Sequence, residues 1–250
     1  EPCDMAEIWS LANAFGVKVI EDASHAIGAT YREKKIGACQ YSNITVFSFH
    51  PVKIITTAEG GVATTNDPKL ARTMQLLRSH GITKDPTEMS KEPDGPWYYE
   101  QIGLGFNYRM SDIHAALGLS QLTKIDDFIA ARHKIAECYD IKLNRDLMQL
   151  PLRHSKSRSA LHLYVIRISE RYHLEVFKKL RSDGIGVNLH YIPVHLHPFF
   201  RKMGFLEGSY PNSESYYRQC ISLPIYPILS NDDQNYVIDK LHNAIQEITR

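Results

Sequence analysis

Two short segments carry side chains whose types and spacing could do chemistry together. The first is Val19-Ile20-Glu21-Asp22-Ala23-Ser24-His25-Ala26-Ile27-Gly28. Its apolar run ends in two carboxylates, which sets acids at the C-terminal end of a strand, where open α/β sheets hold ligands. The second runs from Ser48 through Phe49-His50-Pro51-Val52 to Lys53 and on to Ile54-Ile55-Thr56-Thr57-Ala58-Glu59-Gly60-Gly61. Here a lysine follows a strand, sits among apolar and small residues, and has a Gly-Gly turn behind it. Desolvation disfavours the ammonium form, so a lysine in such a setting can shed its proton and act as a nucleophile. That is what Schiff-base chemistry with an aldehyde requires. Each segment alone has a plainer reading. The acids could line a solvated turn, and Lys53 could be an ordinary exposed loop lysine. The histidines His190, His195 and His197 lie among prolines and aromatics with no nearby carboxylate pattern, so no metal site is expected there.

The elements that must position these residues read as alternating helix and strand. Asp4 and Glu7 form a capping-box-like pair ahead of Ile8, Leu11, Ala12 and Phe15, and Gly16 stops that helix. Residues 17–20 are predicted as a strand, as are 43–49 and 61–65. Asp67-Pro68 starts a helix that ends at His80-Gly81, with Leu70, Met74 and Leu77 facing inward. Residues 82–110, rich in Pro and Gly, read as a long loop of the kind that is functional or disordered. Ser111 caps a helix that reaches about residue 143 with a break or bend. Strands are then expected at 161–168 and 187–191, and helices at 174–182, 213–220 and 232–248. The pattern argues for an α/β layer with a mostly parallel sheet, residues 1–122, and a small α+β domain, residues 123–250.

Composition bounds the function. The chain has 250 residues, 43% hydrophobic and 23% charged, with a formal net charge of +1. Such a chain can bury a core and is not expected to be disordered. Its 29 basic residues are balanced by 28 acidic ones, which argues against a nucleic-acid footprint. No apolar run approaches a membrane span, and the start, EPCDMAEIW, has the features of no signal peptide. Cys3, Cys39, Cys138 and Cys220 are widely spaced, so free thiols in a reducing cytoplasm are expected.

Taken together, an Asp at one strand end and, about thirty residues later, a Ser five positions before a Lys with TTAEGG after it make a specific combination. With LRSHGI, GFNYRMSDIHAALGLSQL and HYIPVHLHPFF, it resembles the pyridoxal-phosphate (PLP)-dependent sugar aminotransferases of the DegT/DnrJ/EryC1/StrS family. FHPVKIITTAEGG and HYIPVHLHPFF most resemble members of the pseudaminic-acid pathway, which aminate a UDP-4-keto-6-deoxy-N-acetylhexosamine. The resemblance implies the PLP-dependent transferase fold type I. It further implies that Lys53 holds the cofactor and moves the proton between the substrate α-carbon and the cofactor. Asp22 would pair with the pyridinium nitrogen and keep the ring an electron sink. His25 stands where many relatives have Gln near the cofactor's phenolic oxygen. Ser48 matches a phosphate-binding hydroxyl. Asn107 matches a residue that reaches the neighbouring subunit's phosphate, with Arg109 beside it at the dimer interface. Tyr191 and His195 match a region that touches the nucleotide-sugar. Read without the resemblance, Ser48 could be a strand-end hydroxyl, Asn107 a turn residue and Tyr191 a core residue.

The resemblance implies a homodimer using a nucleotide-sugar and glutamate, in surface-polysaccharide or flagellin sugar synthesis, with no nucleic-acid or membrane partner. The alternatives are an aminotransferase acting at C3 or on a dTDP- or GDP-linked sugar, or an inactive fragment of one. Dehydratase relatives replace the lysine with His, and Lys53 argues against that activity. Full-length relatives carry an upstream segment with a phosphate-gripping helix N-terminus and a stacking aromatic. The chain is therefore expected to be N-terminally truncated, to expose apolar surface and to bind PLP poorly or not at all.

Overall fold

A computed structural model describes residues 1–249. Two compact units emerge, one of residues 1–125 with 156–159, the other of residues 126–155 and 160 onward.

The first unit begins with α1 (Met5–Ala14). The expected capping box does not form. Asp4 stands at the N-cap, yet its side chain caps nothing, because it accepts hydrogen bonds from the Tyr31 hydroxyl and from Lys156 Nζ. Gly16, at φ +65°, ends the helix as anticipated. The next strand, β1 (Ile20–Asp22), starts later than predicted. The reason is local: the Val19 N–H is taken by the Asn43 side chain at 2.8 Å, so the ladder begins one residue on and includes both acids. A hairpin follows, β2 (Thr30–Tyr31) and β3 (Lys34–Lys35), with Arg32 and Glu33 at φ 47° and 66° in its turn. It was not evident from the sequence, since Arg and Glu are unusual turn residues.

The central strand is β4 (Ile44–Ser48). It pairs in parallel with β1 and antiparallel with β5 (Gly61–Thr64). The expectation of a mostly parallel sheet thus holds for one of these two pairings. The loop that joins β4 to β5 contains no helix to carry a crossover, and it turns the chain straight back into an antiparallel pair. Asp67 caps α2 (Pro68–Arg78) as read, its Oδ1 accepting from the Lys69 and Leu70 N–H groups at 2.8 and 3.3 Å. Leu77, expected inward, is exposed.

The long loop is more ordered than its composition suggested. It contains β6 (Ile82–Thr83) paired with β7 (Glu100–Gln101), and Arg72 of α2 grips it through Thr83 and Glu88. Ser111 caps α3 (Asp112–Leu122). The second edge of β2 is covered by β8 (Ser157–Arg158), which is why residues 156–159 belong to this unit.

In the second unit α4 (Ile125–Lys142) follows a break at Thr123-Lys124, as anticipated. The strand expected at 161–168 shortens to β9 (Tyr164–Arg167). Leu161 takes φ +54°, and its carbonyl and that of His162 turn toward the buried Arg132 guanidinium. Helices α5 (Glu170–Ser182), α6 (Pro198–Arg201) and α7 (Pro211–Tyr217) follow. The helix expected to reach Cys220 stops at Tyr217, because Cys220 opens β10 (Cys220–Leu223), antiparallel to β9. The predicted strand at 187–191 is reduced to a single bridge between Asn188 and Ser222. The chain ends in α8 (Asn231–Thr249).

Burial differs sharply between the units. The second has one contiguous apolar cluster around Tyr139, Tyr164, Ile166, Leu180, Ile221, Leu241 and Ile245, all fully enclosed. The first buries Tyr31, Phe47, Ile54 and Ile55 but exposes Phe15, Ile20, Val46, Leu104, Ile113 and Leu119. Exposed apolar surface was expected and is present. Among the described residues no helix is long and apolar enough to cross a membrane.

Two outcomes follow. Leu241→Ala leaves a hole in a closed core and should lower the unfolding free energy of the second unit by about 2–5 kcal/mol in a urea titration. Arg72 and Thr83 hold the Glu88 carboxyl down at about 2, from an ordinary 4.5. A depressed acid stabilises above its ordinary value and loses that effect as pH falls through the depressed one. Hydrogen exchange at residues 84–90 should therefore quicken between about pH 4.5 and 2 beyond its intrinsic rate. Glu88→Gln should remove that step.

Candidate active site

The parallel register sets the site. Asp22 pairs with Val46, so by alternation Asp22, Val46 and Ser48 share one face of the sheet. That face is open: Asp22 and Val46 are exposed, whereas Thr45 and Phe47 on the other face are buried. Asp22, the last residue of β1, is pinned by Ser24. Its Oδ1 accepts from the Ser24 hydroxyl at 2.5 Å and from the Ser24 N–H at 3.1 Å. These bonds hold the carboxyl below the usual range, and the nearby charges of His25 and Lys53 lower it further.

Lys53 is delivered by the loop that leaves β4. The Phe49 N–H donates to Gly60 O at 2.8 Å and the Thr57 N–H to Phe49 O at 3.0 Å, so the loop closes on Phe49. The Lys53 N–H donates to His50 O at 2.9 Å, turning the chain back. Ile54 and Ile55, buried next to it, anchor the lysine and leave its side chain half-buried. Burial lowers the Lys53 ammonium below its usual range, and Asp22 partly offsets this. Each charge influences the titration of the other, although the two groups form no direct ion pair among the described residues.

The TTAEGG segment shapes the loop behind the lysine. The Thr56 hydroxyl donates to Phe49 O and accepts from the Ala58 N–H, both at 2.9 Å, which supports Ala58 at φ +63°. Buried Thr57 donates to Glu59 O at 2.9 Å, and a Cβ on Gly60 would overlap its hydroxyl. Gly118 of α3 packs on the Thr57 methyl and would not tolerate a Cβ either, its position lying 2.7 Å from Thr57 Cγ2. Thr56, Thr57 and Ser24 were not singled out from the sequence. Their signal was only that small hydroxylated residues crowd the two motifs.

The other expected residues stand as follows. Ser48 sits at the end of β4, half-buried, its Oγ 3.5 Å from the His50 N–H. Asn107 is exposed and bridged through its backbone to Ser79; the rings of Phe106 and Tyr108 on either side of it stack at 4.7 Å. In the second unit Tyr191 is 59% exposed. His195 is not: it is 7% exposed, and its Nε2 lies 2.8 Å from Glu214 Oε1, which also accepts from the Gly208 N–H. A histidine so committed serves first to brace the 194–210 segment. Among the described residues no cluster of three or more His, Cys, Asp or Glu could hold a metal ion.

Residues 1–242 match the DegT/DnrJ/EryC1/StrS aminotransferase family. The chain belongs to this family. The spore coat polysaccharide biosynthesis protein SpsC of Bacillus subtilis is 36% identical over 253 residues, covering 98% of the chain and 64% of SpsC. A UDP-4-amino-4,6-dideoxy-N-acetyl-beta-L-altrosamine transaminase of Campylobacter jejuni is 34% identical over 252 residues, with 99% and 64% covered. Spr1654 of Streptococcus pneumoniae, solved in a PMP-form, superposes with a TM-score of 0.89 at 28% identity, covering 99% of the chain and 67% of that structure. The chain therefore has the fold-type-I architecture of the DegT/DnrJ/EryC1/StrS aminotransferases, and it spans 64% of the length of the two curated relatives.

The Lys53 environment makes a checkable statement. In competitive acetylation followed by mass spectrometry, Lys53 should become reactive at a pH below the ordinary lysine range. Asp22→Asn, which removes the charge that raises the amine, should shift that onset lower still. An onset in the ordinary range would contradict the desolvated amine.

Proposed function

We propose that this chain carries the catalytic lysine and ring-nitrogen acid of a PLP-dependent aminotransferase that moves an amino group from glutamate to a UDP-4-keto-6-deoxy-N-acetylhexosamine. The observation that carries the reading is the placement of Asp22 at the end of β1 and of a partly buried Lys53 in the loop that leaves β4, the parallel strand beside it, each influencing the other's titration. Membership of the DegT/DnrJ/EryC1/StrS family supports the reaction class, and the names of the Campylobacter and Bacillus relatives support a sugar acceptor for surface polysaccharide synthesis.

The residues fit the cofactor. Ser24 occupies Asp22 Oδ1, while Oδ2 has no hydrogen-bond partner among the described residues, so one carboxylate oxygen can accept from a pyridinium N–H. When bound, PLP supplies an aldehyde for the amine and a ring that takes up the electrons released by deprotonation. The rest falls to the chain. The Lys53 amine, its ammonium form disfavoured by burial, would act as the nucleophile toward that aldehyde and, once displaced, would accept and return the proton at the substrate carbon. Asp22 keeps the ring nitrogen protonated, and it does so best as a firmly ionised acid. Ser48, on the same face of the sheet, would offer its hydroxyl to the phosphate, and His25, whose charge acts on Asp22, would serve near the cofactor's phenolic oxygen. Asn107 serves a second copy of the chain in a homodimer. Exposed Leu104, Tyr108 and Ile113 near it are the apolar surface such a contact would cover. Tyr191 meets the nucleotide-sugar, while His195 positions the segment beside it. A nucleotide-sugar substrate and four free cysteines suit a cytoplasmic enzyme.

The test is covalent trapping. Borohydride reduction at a large excess of PLP, which offsets the weak binding expected of this chain, should add the pyridoxyl mass to the peptide containing Lys53, and Lys53→Ala should abolish both the label and amination of the UDP-4-keto sugar. A label on other lysines only, or an undiminished turnover in Lys53→Ala, would remove the assignment. Amination of dTDP- or GDP-linked sugars alone would leave the mechanism and change the acceptor.

A further inference from the structure

Asp22 and Lys53 must perform separate tasks within one small site. An exposed carboxylate on a strand end rotates freely, and a cation nearby draws it into a direct ion pair. Such a collapse would bury both groups in each other and leave neither for the cofactor. Yet in this structure they influence one another without pairing. The partner that Asp22 does have is Ser24. Two residues beyond the strand, it places two donors on a single oxygen of Asp22, the hydroxyl at 2.5 Å and the N–H at 3.1 Å. Buried Ala23 between them, whose N–H continues the ladder to Val46 O at 2.8 Å, fixes the backbone on which this clasp is built. Any residue except proline would supply the N–H; only a hydroxylated one supplies the second donor.

We infer that Ser24 is a positioning residue, its hydroxyl and N–H together holding Asp22 Oδ1 so that the carboxylate stays out of a direct pair with Lys53 and turns Oδ2 to the ring nitrogen of the cofactor. The inference rests on the aminotransferase reading of the site. It also accounts for why the Asp22 carboxyl is held low mainly by Ser24 and only secondarily by its cationic neighbours.

The experiment compares the full chain with Ser24→Ala, Ser24→Thr and Asp22→Asn. Carbon-13 NMR of labelled aspartate gives the Asp22 titration, identified by its loss in Asp22→Asn, and absorbance titration with PLP gives cofactor affinity. Ser24→Ala should raise the Asp22 carboxyl titration and weaken PLP binding by about three- to tenfold, the size expected for one charge-assisted hydrogen bond at a partly solvated site. Ser24→Thr, which keeps the hydroxyl, should restore both, and the melting temperature should stay with the wild type. A Ser24→Ala chain with unchanged titration or unchanged PLP affinity overturns the positioning role, as does failure of Ser24→Thr to restore them. The Asp22→Asn arm separates the two claims. If Asp22→Asn binds PLP as well as the wild type does, the cofactor reading falls. If it binds weakly while Ser24→Ala binds normally, only the role of Ser24 falls.

Discussion

The parallel pairing of β1 with β4 is the constraint on which the site depends. Its register sets Ile20 opposite Ile44 and Asp22 opposite Val46, and a shift of one residue would turn Asp22 to the other face. That other face is already occupied by a run of hydroxyls and an acid. Glu21 Oε2 accepts from Thr45 at 3.1 Å, and Thr45 in turn lies 3.0 Å from Ser42 Oγ. The network satisfies polar groups that would otherwise be stranded, and it also locks the register, since a slipped strand would bring Asp22 where Glu21 now reaches its partners. The residue that locks the pairing and the residue proposed for the chemistry are thus adjacent in one three-residue strand.

From the register outward, the site is assembled by short-range devices. Phe49 closes the lysine loop through its backbone, and Thr56 and Thr57 satisfy the tight turns that follow. Gly60 and Gly118 give them room. Each interaction is modest alone. Their joint effect is that Lys53 leaves a turn anchored on its C-terminal side by buried Ile54 and Ile55, with exposed Val52 before it. The brace between His195 and Glu214 does the same for a different segment, using a buried charged hydrogen bond where the first unit uses backbone contacts.

Much of this was legible in the sequence, and the gaps have physical reasons. Lys53 and Asp22 stand out as candidates in the sequence because strand-end carboxylates and a lysine among small residues are local patterns. The helices at Asp67-Pro68 and Ser111 could be read because caps are local too. What failed depended on distant partners. Asp4 looked like a cap, but Tyr31 and Lys156 claim it. His195 looked available, but Glu214, nineteen residues on, encloses it. Residues 187–191 had the composition of a strand and found only Ser222 to pair with, and β10 hid behind a helix whose last residues gave no stop signal. Ser24 was visible as a residue, but its two bonds to one oxygen are a matter of side-chain rotation that spacing does not encode.

One feature of the chain path bears on the order in which the molecule is built. The small sheet of β2 and β3 is completed by β8, which pairs Thr30 with Arg158. That strand is synthesised long after everything else in its unit, with α4 made in between. On a ribosome the hairpin must therefore wait, one edge unpaired, through the emergence of the whole of α4, and closure of that loop is paid in chain entropy before any ladder bond returns it. The first unit is a late finisher. Its last stitch is placed by a segment passing through on its way from one half of the second unit to the other.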